Sequence, residues 1–249
     1  MLASRFFRIV FIIALSHSLS LAASAKGLSV GIGGIVAPNP YIGSGGTKTA
    51  IVPFFYYEGE RLFVEADRIQ YQIFDKKVFS IGLISAFRFQ GYDPKDNRAL
   101  AGMQERKAAL DVGLVGTYIS DLGIFSLTAL TDFSETHQGD ELGLSWEVPF
   151  PMGKNWLINP SFGLTWQDKD LIDYYYGVSN AEARAGRPAY QGKSSRDWFV
   201  GLGIFYELSQ DWSVISQFTV QSLSNSITDS PIVDDDNQWS GFFGVVYEF

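Results

Sequence analysis

The chain of 249 residues has no cysteine, which excludes disulfide staples and thiol chemistry without arguing against export. Histidine is nearly as scarce. There are two, His17 and His137, so a histidine-dependent site has little to draw on. Positive charge is also short: 19 Lys and Arg stand against 27 Asp and Glu, a formal net charge of −8. That balance excludes nucleic acid as a natural partner. Long apolar runs are missing too. The one candidate, Ile9–Leu15, is broken by Ser16, His17, Ser18 and Ser20, well short of the ~20 residues a spanning helix needs.

What stands at the N-terminus instead is a leader. Arg5 and Arg8 precede the apolar core, and Ala23-Ser24-Ala25 fits an A-x-A cleavage site. Residues 1–25 are therefore expected to be a signal peptide, with 26–249 as the mature unit. Loss of the leader removes two basic residues and no acidic one, so the exported chain is more acidic still. Aromatic residues make up 15% of the chain and glycine contributes 25 residues. An exported chain of this kind is either a soluble β-sandwich or an outer-membrane β-barrel.

The strand pattern decides. Between Trp156 and Trp166 the even positions are Trp, Ile, Pro, Phe, Leu and Trp, and the odd ones are mostly small or polar. Ten steps at ~3.3 Å give about 33 Å, twice a usual sandwich strand. Tilted by ~40°, they span roughly 25 Å, the height of a barrel's apolar band with an aromatic ring at each rim. The same alternation marks Phe79–Phe89, Leu110–Tyr118, Leu142–Phe150, Trp198–Leu208 and Trp239–Phe249. Weaker examples are Leu28–Ala37, Ala50–Tyr57, Arg61–Phe74, Phe125–Asp132 and Trp212–Leu223. Ile84, Phe199 and Phe205 interrupt the otherwise small or polar second face. Trp156, Trp166, Trp198, Trp212 and Trp239 are expected to form the aromatic girdle.

The fold expected is all-β, a closed antiparallel transmembrane barrel in the cell outer membrane, in contact with its lipid and lipopolysaccharide. Eleven segments alternate, but single-chain bacterial barrels have even strand numbers. One strand must be hidden, and Arg61–Lys77, where short and long turns lose their order, is the place for it. Twelve strands are expected, with ten as the other even count. Connections are lopsided. Glu58–Glu60, Ser120–Gly123, Pro151–Asn155 and Ser209–Asp211 are short, whereas Pro38–Lys48, Gly91–Glu105, Ser134–Asp140, Gln167–Ser194 and Asn225–Gln238 are long. Short turns belong on the periplasmic side and long loops outside.

Candidate chemistry is sparse. Asp132, Ser134, Glu135 and His137 contain the makings of a hydrolytic triad. They fall in an expected loop, where nothing in the sequence holds Ser134 and His137 in register, so a solvated loop histidine and no enzyme are expected. Asp234-Asp235-Asp236 reads as a solvated acidic loop, lacking the glycine spacing of a calcium loop. Neither a metal nor a cofactor is expected. Arg88, Asp111, Glu141, Glu147 and Glu207 project to the lumen, to line a pore with a cation preference or to close it by ion pairing. The Gln167–Ser194 loop, with Tyr174–Tyr176, Arg184, Arg187 and Tyr190, is either a contact surface or an inward constriction.

Several stretches resemble one family. They are Tyr41-Ile42-Gly43-Ser44, Gly91-Tyr92-Asp93, Leu100-Ala101-Gly102-Met103 with Arg106, Tyr175-Tyr176-Gly177-Val178-Ser179 with Glu182-Ala183, and Ser230-Pro231-Ile232-Val233. In order and content they are similar to the MipA/OmpV family of Gram-negative outer-membrane proteins. The terminal strand also resembles the signal read by the barrel-assembly machinery, with Gly244, Tyr247 and Phe249 in place and Phe242 where a polar residue is usual. The resemblance implies an outer-membrane barrel. One member is described as a scaffold between a murein lytic transglycosylase and a penicillin-binding protein, and others as porin-like proteins, antigens or adhesins. A scaffold role and those two enzymes as partners are therefore implied by resemblance, with a narrow channel or surface contact protein as the alternative.

Overall fold

The alternation is realised as strands along nearly the whole of the chain. A computed structural model describes residues 27–44, 47–234 and 237–249. The expected signal peptide, Asp235 and Asp236 lie outside the described residues. Twelve strands follow one another: β1 Gly27–Pro38, β2 Thr47–Glu58, β3 Leu62–Val64, β4 Arg68–Lys76, β5 Phe79–Arg88, β6 Ala109–Ser120, β7 Gly123–Asp132, β8 Asp140–Glu147 continuing as Phe150–Met152, β9 Trp156–Gln167, β10 Ser195–Glu207, β11 Trp212–Ser222 and β12 Asn237–Glu248. Each pairs antiparallel with its neighbours in the chain, and β12 pairs back onto β1, with Glu248 opposite Ser29 and Gly241 opposite Val36. The barrel is closed, so no full-length edge remains. Among the described residues no helix is long and apolar enough to cross a membrane.

Two irregularities have physical causes. The hidden strand does lie within Arg61–Lys77, where β3 and β4 form a short hairpin. The pause in β8 has its origin across the ladder in Pro160. Val148 N–H donates to Pro160 O (3.0 Å), but proline has no N–H to return. Register continues through the pause, with Glu147 opposite Ser161 and Phe150 opposite Ile158.

The outer face carries exposed Leu28, Val30, Ile32, Leu144, Phe162, Leu164, Trp198, Val200 and Phe243, among others. So many apolar side chains around a whole circumference suit a hydrocarbon solvent and would aggregate in water. The inner face mixes polar groups with a few rings laid over glycine. Phe54 and Phe242 pack edge to face (5.4 Å, 76°). They lie where a Cβ on Gly31, Gly33 or Gly244 would stand. The departure from the assembly pattern at Phe242 is thus a packing feature of the lumen. Phe199 similarly covers Gly163.

The largest buried apolar cluster is not in the barrel wall at all. It gathers Tyr41, Tyr92, Leu100, Met103, Leu171, Ile172, Tyr175, Tyr176, Val178, Leu223, Ile227 and Ile232, all from the long-loop end. The long loops have folded together into a cap with its own core.

Candidate functional site: the cap and the charged layer beneath it

The centre of the cap is a helix inside the β9–β10 loop, α1 Lys169–Tyr176. Asp168 caps it by accepting from Leu171 N–H (3.0 Å), and Asp170 lies in its first turn. Leu171, Ile172, Tyr175 and Tyr176 fall on one stripe, and all four are buried. Every other long loop then packs on that helix, the β7–β8 turn through His137, whose ring lies 5.9 Å from that of Tyr175. Tyr41 OH donates to Tyr175 O (3.3 Å), Gln90 Nε2 to Tyr176 OH (2.9 Å) and Ser230 Oγ to Tyr176 O (2.6 Å). Tyr41 and Tyr92 meet edge to face (4.6 Å, 72°). A second short helix, α2 Asn225–Thr228, adds Ile227. Burial pushes the Tyr41 and Tyr176 hydroxyls well above their ordinary values and Tyr92 up to about 12.

Polar ties hold the cap's outer part. Arg106 Nη2 reaches Glu182 Oε1 at 3.1 Å. Glu182 also accepts from Gln104 N–H (2.8 Å), Ser179 N–H (2.9 Å) and Ser179 Oγ (2.8 Å). Desolvation works to raise this carboxyl, but those hydrogen bonds and Arg106 outweigh it and hold it below the ordinary glutamate range. Arg187 is buried and donates to the carbonyls of Ala99 (3.2 Å), Ala101 (3.1 Å) and Glu182 (2.8 Å). The Tyr and Arg residues of Gln167–Ser194 are thus largely consumed within the fold. Its helix turns inward and supplies Leu171, Ile172, Tyr175 and Tyr176 to the cap core.

Beneath the cap, Arg88, Asp111 and Glu141 meet. Arg88 Nη2 lies 2.6 Å from Asp111 Oδ2 and 3.0 Å from Glu141 Oε2, and Gln167 Nε2 donates to Glu141 (2.7 Å). Three of the five lumen candidates therefore form one buried network. Glu147 belongs to a second group, accepting from Asn159 Nδ2 (2.8 Å) and interacting with the charges of Arg68 and Glu65. Glu207 lies at the short-turn end, where its backbone bonds Asn155.

His137 corrects the expectation of a solvated loop histidine, for it is buried. Gly139 N–H donates to its Nδ1 (3.1 Å), which leaves the proton on Nε2, 2.9 Å from Asp111 Oδ1. The turn is ordered by Asp132, which accepts from Ser134 N–H and Oγ, His137 N–H and Gln138 N–H at 2.6–2.9 Å. These bonds hold Glu135 and Gln138 at φ 55°, unusual for residues with side chains. Asp111, Asp132 and His137 lie close enough to ligate an ion, with ligand atoms within 4.8 Å, yet backbone amides and Arg88 already use them. Ser134 Oγ donates to Asp132 and lies 2.9 Å from the Thr136 hydroxyl, which can donate to it, and its hydrogen-bond partners do not include His137. The geometry is that of a latch between β6 and the β7–β8 turn, and it shows no catalytic function.

Sequence reasoning missed the cap core, Gln90 and the Arg106–Glu182 tie. One signal was present: Asp168 followed by apolar residues at 171, 172, 175 and 176 is a capped helical stripe inside a loop.

A closed twelve-stranded wall with an apolar exterior, short turns at one end and folded loops at the other defines an outer-membrane β-barrel. The translocator domain of the autotransporter NalP from Neisseria meningitidis has a similar fold, with a TM-score of 0.50 at 12% identity over 100% of this chain and 95% of that one. Residues 30–249 match the family described as MltA-interacting protein MipA, and the chain belongs to that family. It is 27% identical over 244 residues to the MltA-interacting protein of Escherichia coli K12, covering 96% of each chain. To outer membrane protein Omp26La of Vibrio anguillarum it is 28% identical over 197 residues, 78% of this chain and 76% of that one. The protein resides in the cell outer membrane. The stretches that carry the family resemblance, scattered over nearly two hundred residues, all converge in the cap.

Proposed function

We propose that the protein is a non-enzymatic scaffold that ties murein synthesis and remodelling enzymes to the outer membrane. The observation that supports this reading is the loop end of the barrel, where the long loops pack together around a buried apolar core. The relative named for its interaction with MltA supports a murein transglycosylase as one partner, and the family resemblance adds a penicillin-binding protein. The contact surface would be the short-turn rim, where Val78, Leu122 (72% exposed) and Leu208 stand out as apolar residues on three turns. A standard interface needs about 800 Å² per partner, so several turns must act together. Pull-down from membranes tests this. The wild type should enrich murein hydrolases and synthases, and Leu122→Asp should lose them. No enrichment over an unrelated barrel would overturn the reading.

Trp156 and Trp212, which pack on Tyr206 and Tyr247 at the turn end, and Trp166, Trp198 and Trp239 towards the loop end would form the two rings of the girdle. Gly244, Tyr247 and Phe249 would serve as the assembly signal. The second reading, a narrow cation path, is favoured by the acidic bias of the inner face, where Asp111, Glu141, Glu147 and Glu207 outnumber Arg88.

A further inference from the structure

The outward face of the wall is hollowed in one place. On β11, β12, β1 and β2, the strands around the seam, outward residues form rows across the sheet. Ser216, Phe243, Gly34 and Ile51 stand abreast in one row. Phe218, Gly241, Val36 and Thr49 stand abreast in the next, about 7 Å nearer the loops. Small and large side chains alternate along each row, and the two rows are out of step. The rings of Phe243 and Phe218 thus rise beside glycine, and a cavity of about 640 Å³ lies among these residues. A Cβ added at Gly34 would meet nothing within 4 Å. Ile51, Phe218 and Phe243 are 79%, 49% and 58% exposed, so the cavity opens away from the lumen, towards lipid.

Depth and chemistry select the occupant. The groove crosses β1 at Gly34–Val36, near the loop end of a strand that runs from Gly27 to Pro38. Trp239, the next outward residue of β12 towards the loops, packs on Phe218 (6.3 Å) and bounds the groove above. With the long loops outside, this is the height of outer-leaflet acyl chains close to their head groups. The walls are apolar, but Ser216 and Thr49 bring a hydroxyl to each flank. A hydroxyl turned to hydrocarbon is costly without a hydrogen-bond partner. A plain methylene chain supplies none, whereas a chain hydroxylated near its head supplies both donor and acceptor. Lys48, exposed one residue beyond Thr49 at the loop end of β2, sets a positive charge at head-group height. A second barrel fits less well, because two convex walls touch along a line and leave the hollow unfilled.

We propose that this groove binds one 3-hydroxyacyl chain of lipopolysaccharide. The chain lies over Gly34 and Gly241 between the two Phe rings, its oxygens meet Ser216 and Thr49, and its phosphate-bearing head stands near Lys48. This binding is separate from the scaffold reading and stands if that reading fails.

The absence of cysteine makes the test clean. Thr47→Cys places one environment-sensitive fluorophore just beyond the groove, in the full chain refolded into phosphatidylcholine nanodiscs. Doping the discs with lipid A should change its emission saturably. Gly34→Leu, which fills the hollow, should weaken that response at least tenfold, and Ser216→Ala/Thr49→Val at least threefold. Phosphatidic acid, which has the phosphate but no chain hydroxyl, should give only a linear, partition-like rise. If Gly34→Leu fails to fold, Ser216→Leu fills the same groove from its other flank and should cause the same loss. A lipid A response that survives filling or loss of the hydroxyls, or an equal response to phosphatidic acid, would overturn the proposal. So would self-quenching that grows with the number of barrels per disc and vanishes on filling, which would put a second copy in the groove.

Discussion

Arg88 is the residue on which the inner layer turns. It stands between Asp111 and Glu141, and Asp111 in turn takes His137. Removing one partner of a buried pair costs more than never having had it, because the remaining charge is left unpaired. Arg88→Ala should therefore destabilise the barrel by about 3 kcal/mol, read as a lower temperature for loss of the heat-modifiable band. Little change would mean that the carboxylates find water instead. Glu182 gives a second expectation, one of pH. Its carboxyl is held below its ordinary value in the folded cap, so the folded state binds that proton more weakly than the unfolded chain does. The stabilisation is complete above the ordinary glutamate value of about 4.3 and is lost as pH falls through the depressed one. Amide exchange at Tyr175–Val178, corrected for intrinsic rates, should accelerate on acidification in the wild type. Glu182→Gln should already exchange fast at neutral pH. His137 shows the limit of reading residues singly. Its neighbours Thr136, Gln138 and Gly139 are polar or small, and its burial depends on Asp111, 26 positions away.

At the scale of elements, alternation made most of the barrel legible, including the missing strand within Arg61–Lys77. Period two with Trp, Tyr and Phe at the strand ends leaves few other arrangements. The length of β3 was not legible, because Arg61–Phe74 alternates across a turn that only the backbone reveals. Nor was the packing of the loops, whose apolar residues Leu100, Ile227 and Ile232 follow no period and meet partners far along the chain. The seam between β12 and β1 is the element most exposed to a test. Phe249 N–H donates to Leu28 O (3.2 Å), and its ring packs edge to face on Tyr247 (5.0 Å, 89°). Deleting Phe249 should lower outer-membrane levels more than any lumen substitution does. Unchanged levels on quantitative blotting would count against its role as an assembly signal.

The whole molecule combines two solvents and two cores. The wall turns its apolar face to lipid, and its lumen holds charges and rings. The hydrophobic core proper lies in the loops above, which is why a chain with so few charged and catalytic motifs keeps so many tyrosines there. The stretches of this chain that carry the family resemblance meet in that one cap, which makes closure of the loop end the property to test. Steady-state conductance of the refolded protein in planar bilayers tests that closure most directly. The wild type should show no persistent conductance steps, and Ile172→Asp/Tyr176→Asp, which breaks the cap core, should produce them. Stable wild-type channels, unaltered by the double substitution, would contradict the account.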